Sequence, residues 1–114
     1  MKEIAINNTI NNTINNDGLP YVIIRTYSAG VFAGYLVCKG QHPGGFEVKL
    51  KQARRLWYWS GAATLSQLAV DGTNKPGECQ FPTTVPSIEL VAIEIIPTTE
   101  KAKQSIEMVP IWTA

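Results

Sequence analysis

Between Lys49 and Gly61 the chain reads KLKQARRLWYWSG, and four of its ten basic residues and three of its ten aromatic residues fall within positions 49–59. Guanidinium groups pair with phosphate oxygens in a planar, bidentate fashion, and exposed aromatic faces stack on nucleobases, so the combination suits a nucleotide or a single strand. Read as a strand, Arg55, Trp57 and Trp59 share one face, while Arg54, Leu56 and Tyr58 share the other. The small residues Ser60-Gly61-Ala62-Ala63-Thr64 follow and lead into an expected helix start, where free amides and the helix dipole favour an anion. A second polar set, Arg25, Tyr27 and Ser28, flanks the Ser28-Ala29-Gly30 turn. The candidate ligand-binding residues are therefore Arg25, Tyr27, Ser28, Arg54, Arg55, Trp57, Trp59, Ser60, Gly61 and Thr64. A plain structural reading competes with this one. Tryptophans of a small β domain belong to its core, and paired arginines often guard a sheet edge.

The other reactive side chains are scattered. His42, the sole histidine, lies in the Gly/Pro-rich segment KGQHPGG and reads as an exposed turn residue. Cys38 reads as a small core residue of a strand and Cys79 as a free loop thiol, with no CxxC spacing and no histidine beside either. A zinc site needs four suitable ligands, so no metal or other cofactor is expected. Glu89 and Glu94, five apart on a strand, point to opposite faces and make a poor acid–base pair. Asp71 reads as a helix end. No GxSxG, P-loop or dinucleotide fingerprint is present, and the expectation is a protein that is not an enzyme.

The elements that must position these residues are mostly strands. Tyr21–Tyr27 and Val31–Cys38 are rich in β-branched and aromatic residues and flank a turn whose Gly30 supplies a positive φ. Gly34, inside the second strand, marks a bulge or a close approach. Phe46–Leu50 and Arg54–Trp59 read as two further strands. Thr64 and Gln67 form a capping box for a short helix over Leu65–Val70, which stops at Asp71-Gly72. Thr73–Pro86, with three prolines, is a long loop. Ile88–Ile96 reads as a central buried strand. A second helix opens at Pro97-Thr98-Thr99-Glu100, presents Ala102, Ile106 and Met108 to the core and ends at Pro110. Ile111-Trp112 reads as an edge strand. The expected class is α+β: an antiparallel sheet or small barrel of about six strands with two short helices.

The chain has 114 residues, a net charge of +1 and 17% charged residues, which suits one domain and rules out a general polycation. No apolar run reaches the ~18 residues of a membrane helix. The start lacks a secretory pattern, so a cytoplasmic setting is expected. Residues 1–18 differ from the rest. The unit Ile-Asn-Asn-Thr/Asp repeats from Ile6, Ile10 and Ile14, and as a strand it places the isoleucines on one face. It reads as an extended arm that docks on its own domain or on a neighbouring subunit, with residues 19–114 forming a single domain. A disordered low-complexity tail is the alternative.

From Pro20 onwards the chain resembles small proteins encoded by tailed bacteriophages and prophages. The matching runs are Val22–Val31, Ala53–Ala62, Ala92–Pro97 and Val109–Trp112. The resemblance implies a common origin, one fold and the cytoplasm of a bacterial host as the setting, and carries no catalytic residues with it. Two functions fit these observations. The first is an oligomeric, non-enzymatic module that sequesters a nucleotide-type ligand such as a host immune signal, an anti-defence role. The second is an assembly protein whose N-terminal arm joins subunits without any small ligand. Nucleic-acid binding is disfavoured by the near-neutral charge, and no membrane partner is expected.

Overall fold

The computed structural model describes Thr13, Ile14 and residues 18–113. The rest of the N-terminal repeat, including Ile6 and Ile10, lies outside the described residues. A two-residue strand, β1 (Thr13–Ile14), is followed by β2 (Pro20–Thr26), β3 (Val31–His42), β4 (Gly45–Arg55), helix α1 (Leu65–Asp71), a 3₁₀ turn (Pro76–Glu78), β5 (Val85–Pro97) and helix α2 (Glu100–Met108). The protein is α+β, with four long antiparallel strands and two helices rather than the six strands expected. β1 pairs with β2 over Thr13↔Tyr21 and Ile14↔Pro20.

The discrepancy in strand number has a local cause. Phe46–Leu50 and the beginning of the expected Arg54–Trp59 strand are one element, β4, which runs on through Gln52 at φ 51°. The registers shift here, with Ala33 opposite Arg54 and Tyr35 opposite Lys51, so β4 bulges where an independent turn seemed required. Gly34 lies at the same place. A side chain there would press on the Ala53 Cα and the Lys51 carbonyl, both 3.1 Å away, which is the close approach expected of it. Beyond Arg55 the strand ends, and Tyr58 makes only an isolated bridge to Gln80. Ile111 likewise forms a lone bridge to Phe81, not an edge strand.

β2 pairs with both β3 and β5, and β4 also pairs with both β3 and β5. β5 serves two partners in succession: residues 85–92 face β4 and residues 92–97 face β2, so Ala92 is registered against both Phe46 and Thr26. Its expected burial on both faces is not observed. Ala92 alone is fully buried: Ile88, Leu90 and Ile95 pack half-buried against one core cluster and Ile96 against the other, while Glu89 and Ile93 are exposed. The sheet's period-2 pattern divides the core in two. Val22, Ile24, Phe32, Val48, Leu50, Ala53 and Ala92 pack together on one face. Tyr21, Ile23, Ala33 and Tyr35, on the other, pack with Leu68 and Ala69 of α1, Ile106 of α2, and Leu56, Cys79, Phe81 and Val109. Burying each large aliphatic side chain contributes about 1.5–3 kcal/mol.

Both helices start as the sequence implies. The Thr64 hydroxyl accepts from the Gln67 amide, and the Gln67 side chain accepts from the Ala63 amide, one residue before the position a strict capping box would use. Thr99 caps α2 through the Ala102 amide. Ala102 and Ile106 are buried as expected, but Met108 is 79% exposed, on the opposite side of the last turn of α2 from the buried Ile106 and Val109. Two further expectations fail. Cys38 is exposed, since the outer part of β3 carries no layer above it. Cys79 is buried among core residues, with its sulfur near the carbonyls of Ser60 and Lys75.

Candidate functional site

Arg54 and Arg55 leave β4 in opposite directions, as alternation requires. Arg54 enters the helix-side core. Its guanidinium donates to the carbonyls of Pro82 (2.9 Å), Ile106 (2.8 Å), Phe81 (3.0 Å), Val109 (2.7 Å) and Pro110 (3.2 Å), and it lies over the Phe81 ring. The rigid fork of five donors thus gathers the end of α2 and the Phe81 segment onto β4. Burial pulls the pKa of this group downward, countered in part by Tyr21. Arg54 is a structural tie, and its hydrogen bonds are spent within the protein.

Arg55 takes the other face. Its guanidinium sits 4.3 Å from the Phe32 ring centroid and donates to the Ala29 carbonyl. It therefore closes the end of the sheet-side core and grips the β2–β3 turn. The Leu56 amide donates to the Val31 carbonyl at 2.8 Å, so the chain leaving β4 runs beside that turn. Trp57, the next residue, is 64% exposed, and Tyr58 is also exposed. Trp59 instead packs against the helix-side core. The expected single face of Arg55, Trp57 and Trp59 is not formed, because the alternation ends with the strand at Arg55.

The second polar set converges on the same turn. Thr26 organises it: its hydroxyl donates to the Gly30 carbonyl at 2.7 Å and accepts from the Ala29 amide at 2.8 Å. Tyr27 stands at the tip, 90% exposed, and Ser28 is exposed beside it. Arg25 is held by Glu94 of β5 at 2.8 Å, a half-exposed ion pair. A concavity of about 420 Å³ opens here, lined in part by Tyr27, Ser28, His42, Gly44, Val91 and Ile93. That volume falls in the range of small-molecule sites.

His42, Val91 and Ile93 were not legible as site residues. They arrive because Ala92 pairs with both β2 and β4, which brings the β3–β4 hairpin tip beside the β2–β3 turn. Gly45 permits the approach. Its φ is 145°, and any Cβ there would collide with the Ala92 carbonyl oxygen. His42 is fixed as well, its Nδ1 accepting from the Gly44 amide at 3.0 Å.

The Ser60–Thr64 segment goes elsewhere. The Ser60 hydroxyl donates to Glu78 at 3.1 Å, and the Ser60 carbonyl accepts from the Thr73 hydroxyl. Gly61 has φ 89° and nestles against Thr73 and Asn74, where a side chain would not fit. Thr64 is occupied as the α1 cap, and two amides at this helix start are satisfied by protein groups. Of the ten candidates, Arg25, Tyr27, Ser28 and Arg55 cluster around one turn, with Trp57 following Arg55 along the chain beside it. Arg54, Trp59, Ser60, Gly61 and Thr64 are engaged within the protein. Among the described residues, no three of His, Cys, Asp and Glu come together in a metal-binding group, and no helix is long and apolar enough to cross a membrane.

The family model for a Domain of unknown function (DUF6948) matches residues 19–106, and the chain belongs to that family. No curated protein and no solved structure matches it.

Proposed function

We propose that this member of the family is a non-enzymatic binding domain, taking a small ring-bearing, phosphate-bearing ligand at the β2–β3 turn. The observation that carries this reading is the concavity of about 420 Å³ bordered by the fully presented Tyr27 ring, Ser28 and His42. The Tyr27 face suits stacking on a base, and the Ser28 hydroxyl suits a phosphate oxygen. Arg55 supports the site from behind by holding the Ala29 carbonyl, so the turn is preorganised rather than ordered at the moment of binding. The double pairing of β2 and of β4 supports a sheet curled into a small barrel, with Arg55 covering Phe32 at its end. The resemblance to phage proteins favours a host immune signal as the ligand, sequestered in the bacterial cytoplasm without chemical change.

Differential scanning fluorimetry against cyclic oligonucleotides and ADP-ribose derivatives tests the reading. A ligand present at a hundred times its Kd should stabilise the fold by about 2.7 kcal/mol. Tyr27→Ala should abolish that shift while leaving the ligand-free Tm unchanged. A flat response of the wild-type protein to the whole panel would overturn it.

One observation favours the second reading, an assembly protein joined by its arm. Thr13–Ile14 adds to β2 as a strand of only two residues, and backbone pairing of this kind serves a neighbour's arm equally well. Removing residues 1–17 should then lower the mass measured by light scattering. An unchanged monomer with and without the arm would reject this alternative.

A further inference from the structure

A second cavity, of about 320 Å³, lies on the helix side of the sheet, away from the Tyr27 turn, and is lined by Tyr21, Gln52, Arg54, Thr84 and Glu107. Its wall draws on β2, β4, the loop before β5 and the last turn of α2, so only the folded chain assembles it. Three observations single it out. Gln52, on its wall, is the one non-glycine residue with positive φ among the described residues, and such backbone conformations persist only where surrounding structure enforces them. The Glu107 carboxylate is oriented through Oε2, which accepts from the Tyr35 hydroxyl at 3.3 Å, while Oε1 carries no hydrogen bond among the described residues. Arg54 contributes a positive charge whose donors are mostly committed to carbonyls.

A carboxylate and a guanidinium in one wall balance each other, which disfavours a strongly charged occupant and favours a neutral molecule rich in both donors and acceptors. We propose that this cavity is a separate binding site for a neutral heterocycle of the oxopurine or cyclic ureide type, with adjacent N–H donors on Glu107 and a ring carbonyl toward the Gln52 amide or the Thr84 hydroxyl. Paired N–H groups match the two-oxygen geometry of a carboxylate, and the side-chain amide and hydroxyl can each donate to a carbonyl. Burial raises the pKa of Tyr21, so its phenol remains a neutral donor at the cavity wall across the physiological range. This site does not depend on the one at Tyr27.

The test is an NMR titration of the full, ¹⁵N-labelled chain with guanosine, and in parallel with inosine, which lacks the exocyclic amino group. Guanosine should move the amide signals of Gln52, Thr84 and Glu107, and inosine should bind about tenfold more weakly, the worth of one charge-assisted hydrogen bond. Glu107→Gln, at an exposed position on α2, should weaken guanosine by about tenfold with an unchanged spectrum elsewhere. Gln52→Gly, which keeps the backbone conformation, should weaken it as well. No response up to the solubility limit of guanosine would overturn the proposal. So would equal affinity for the two nucleosides, indifference to E107Q, or shifts confined to Tyr27 and Ser28, the last of which would support the first site instead.

Discussion

Arg54 and Arg55 are neighbours in sequence and opposites in the fold. Arg54 is buried with five carbonyl partners drawn from two other segments, whereas Arg55 lies at the edge, over one ring and against one turn. Around Arg54 the guanidinium and the backbone carbonyls of two segments satisfy one another. Around Arg55 the neighbouring turn bears Tyr27 and Ser28, and the chain that follows bears Trp57 and Tyr58, all turned to solvent. The difference teaches that a dense run of basic and aromatic residues need not form one site. A strand sends alternate residues into unlike environments, and here one of them holds the fold while the other supports a surface.

The largest effect should come from breaking the Arg54 side. Arg54→Met leaves several buried carbonyls without donors, at about 1–3 kcal/mol each before relaxation, and should cost about 3–5 kcal/mol in urea unfolding. Arg54→Lys should recover only part of this loss, because a single ammonium cannot reach five carbonyls on two segments. Gly45→Ala should come next, at about 2–3 kcal/mol, since the new Cβ meets the Ala92 carbonyl and must push the hairpin tip off β5. The same variant should open the concavity beside Tyr27, and would be read by loss of any ligand-induced stabilisation as well as by a lower Tm.

A pH dependence separates the two regions further. Tyr21, on the Arg54 side, has its pKa raised above the ordinary 10.0, chiefly by burial and then by Glu107. Below pH 10 the phenol is neutral in both folded and unfolded chains. Above it the unfolded chain loses the proton first, so stability falls as pH rises. Tyr21→Phe should flatten that decline in alkaline unfolding curves. The smallest effects belong to the exposed side. Arg55→Ala should cost about 1 kcal/mol or less, the worth of a half-exposed cation–π contact and one hydrogen bond. Trp57→Ala should change stability by about 0.5 kcal/mol or less. A much larger loss from Trp57→Ala would place that ring in the core and erase the contrast between the two arginine environments.

Much of the fold was legible one segment at a time. The β2–β3 turn at Gly30, the Thr64–Gln67 cap, the stop at Gly72 and the start of α2 at Thr99 all depend on residues within a few positions of one another. Gly34 announced its bulge for the same reason. The errors lie where a distant partner decided the outcome. β4 continues through Gln52 because pairing on both of its edges carries it past a poor local conformation. Met108 and Cys38 face solvent because no element covers them, which no periodicity reveals. The candidate site was legible in part: Arg25, Tyr27, Ser28 and Arg55 meet at the turn, while His42, Val91 and Ile93 joined them without any local signal.

By itself, then, the sequence determined the alternation of faces, the turns, the caps and the presence of a basic–aromatic run, since each follows from side chains acting on their own stretch of backbone. Tertiary structure decided what that run does. The registration of Ala92 against both Phe46 and Thr26 folds the hairpin tip onto the β2–β3 turn and creates the concavity. The carbonyls of residues 81, 82, 106, 109 and 110 converge on Arg54 and commit its hydrogen-bond donors to the fold. The physical reason is the same in both cases. A strand pairs and a guanidinium bonds with whatever the closed chain places opposite, and here those partners are distant in sequence, from the Phe81 carbonyl, 27 positions from Arg54, to Thr26, towards the other end of the chain from Ala92.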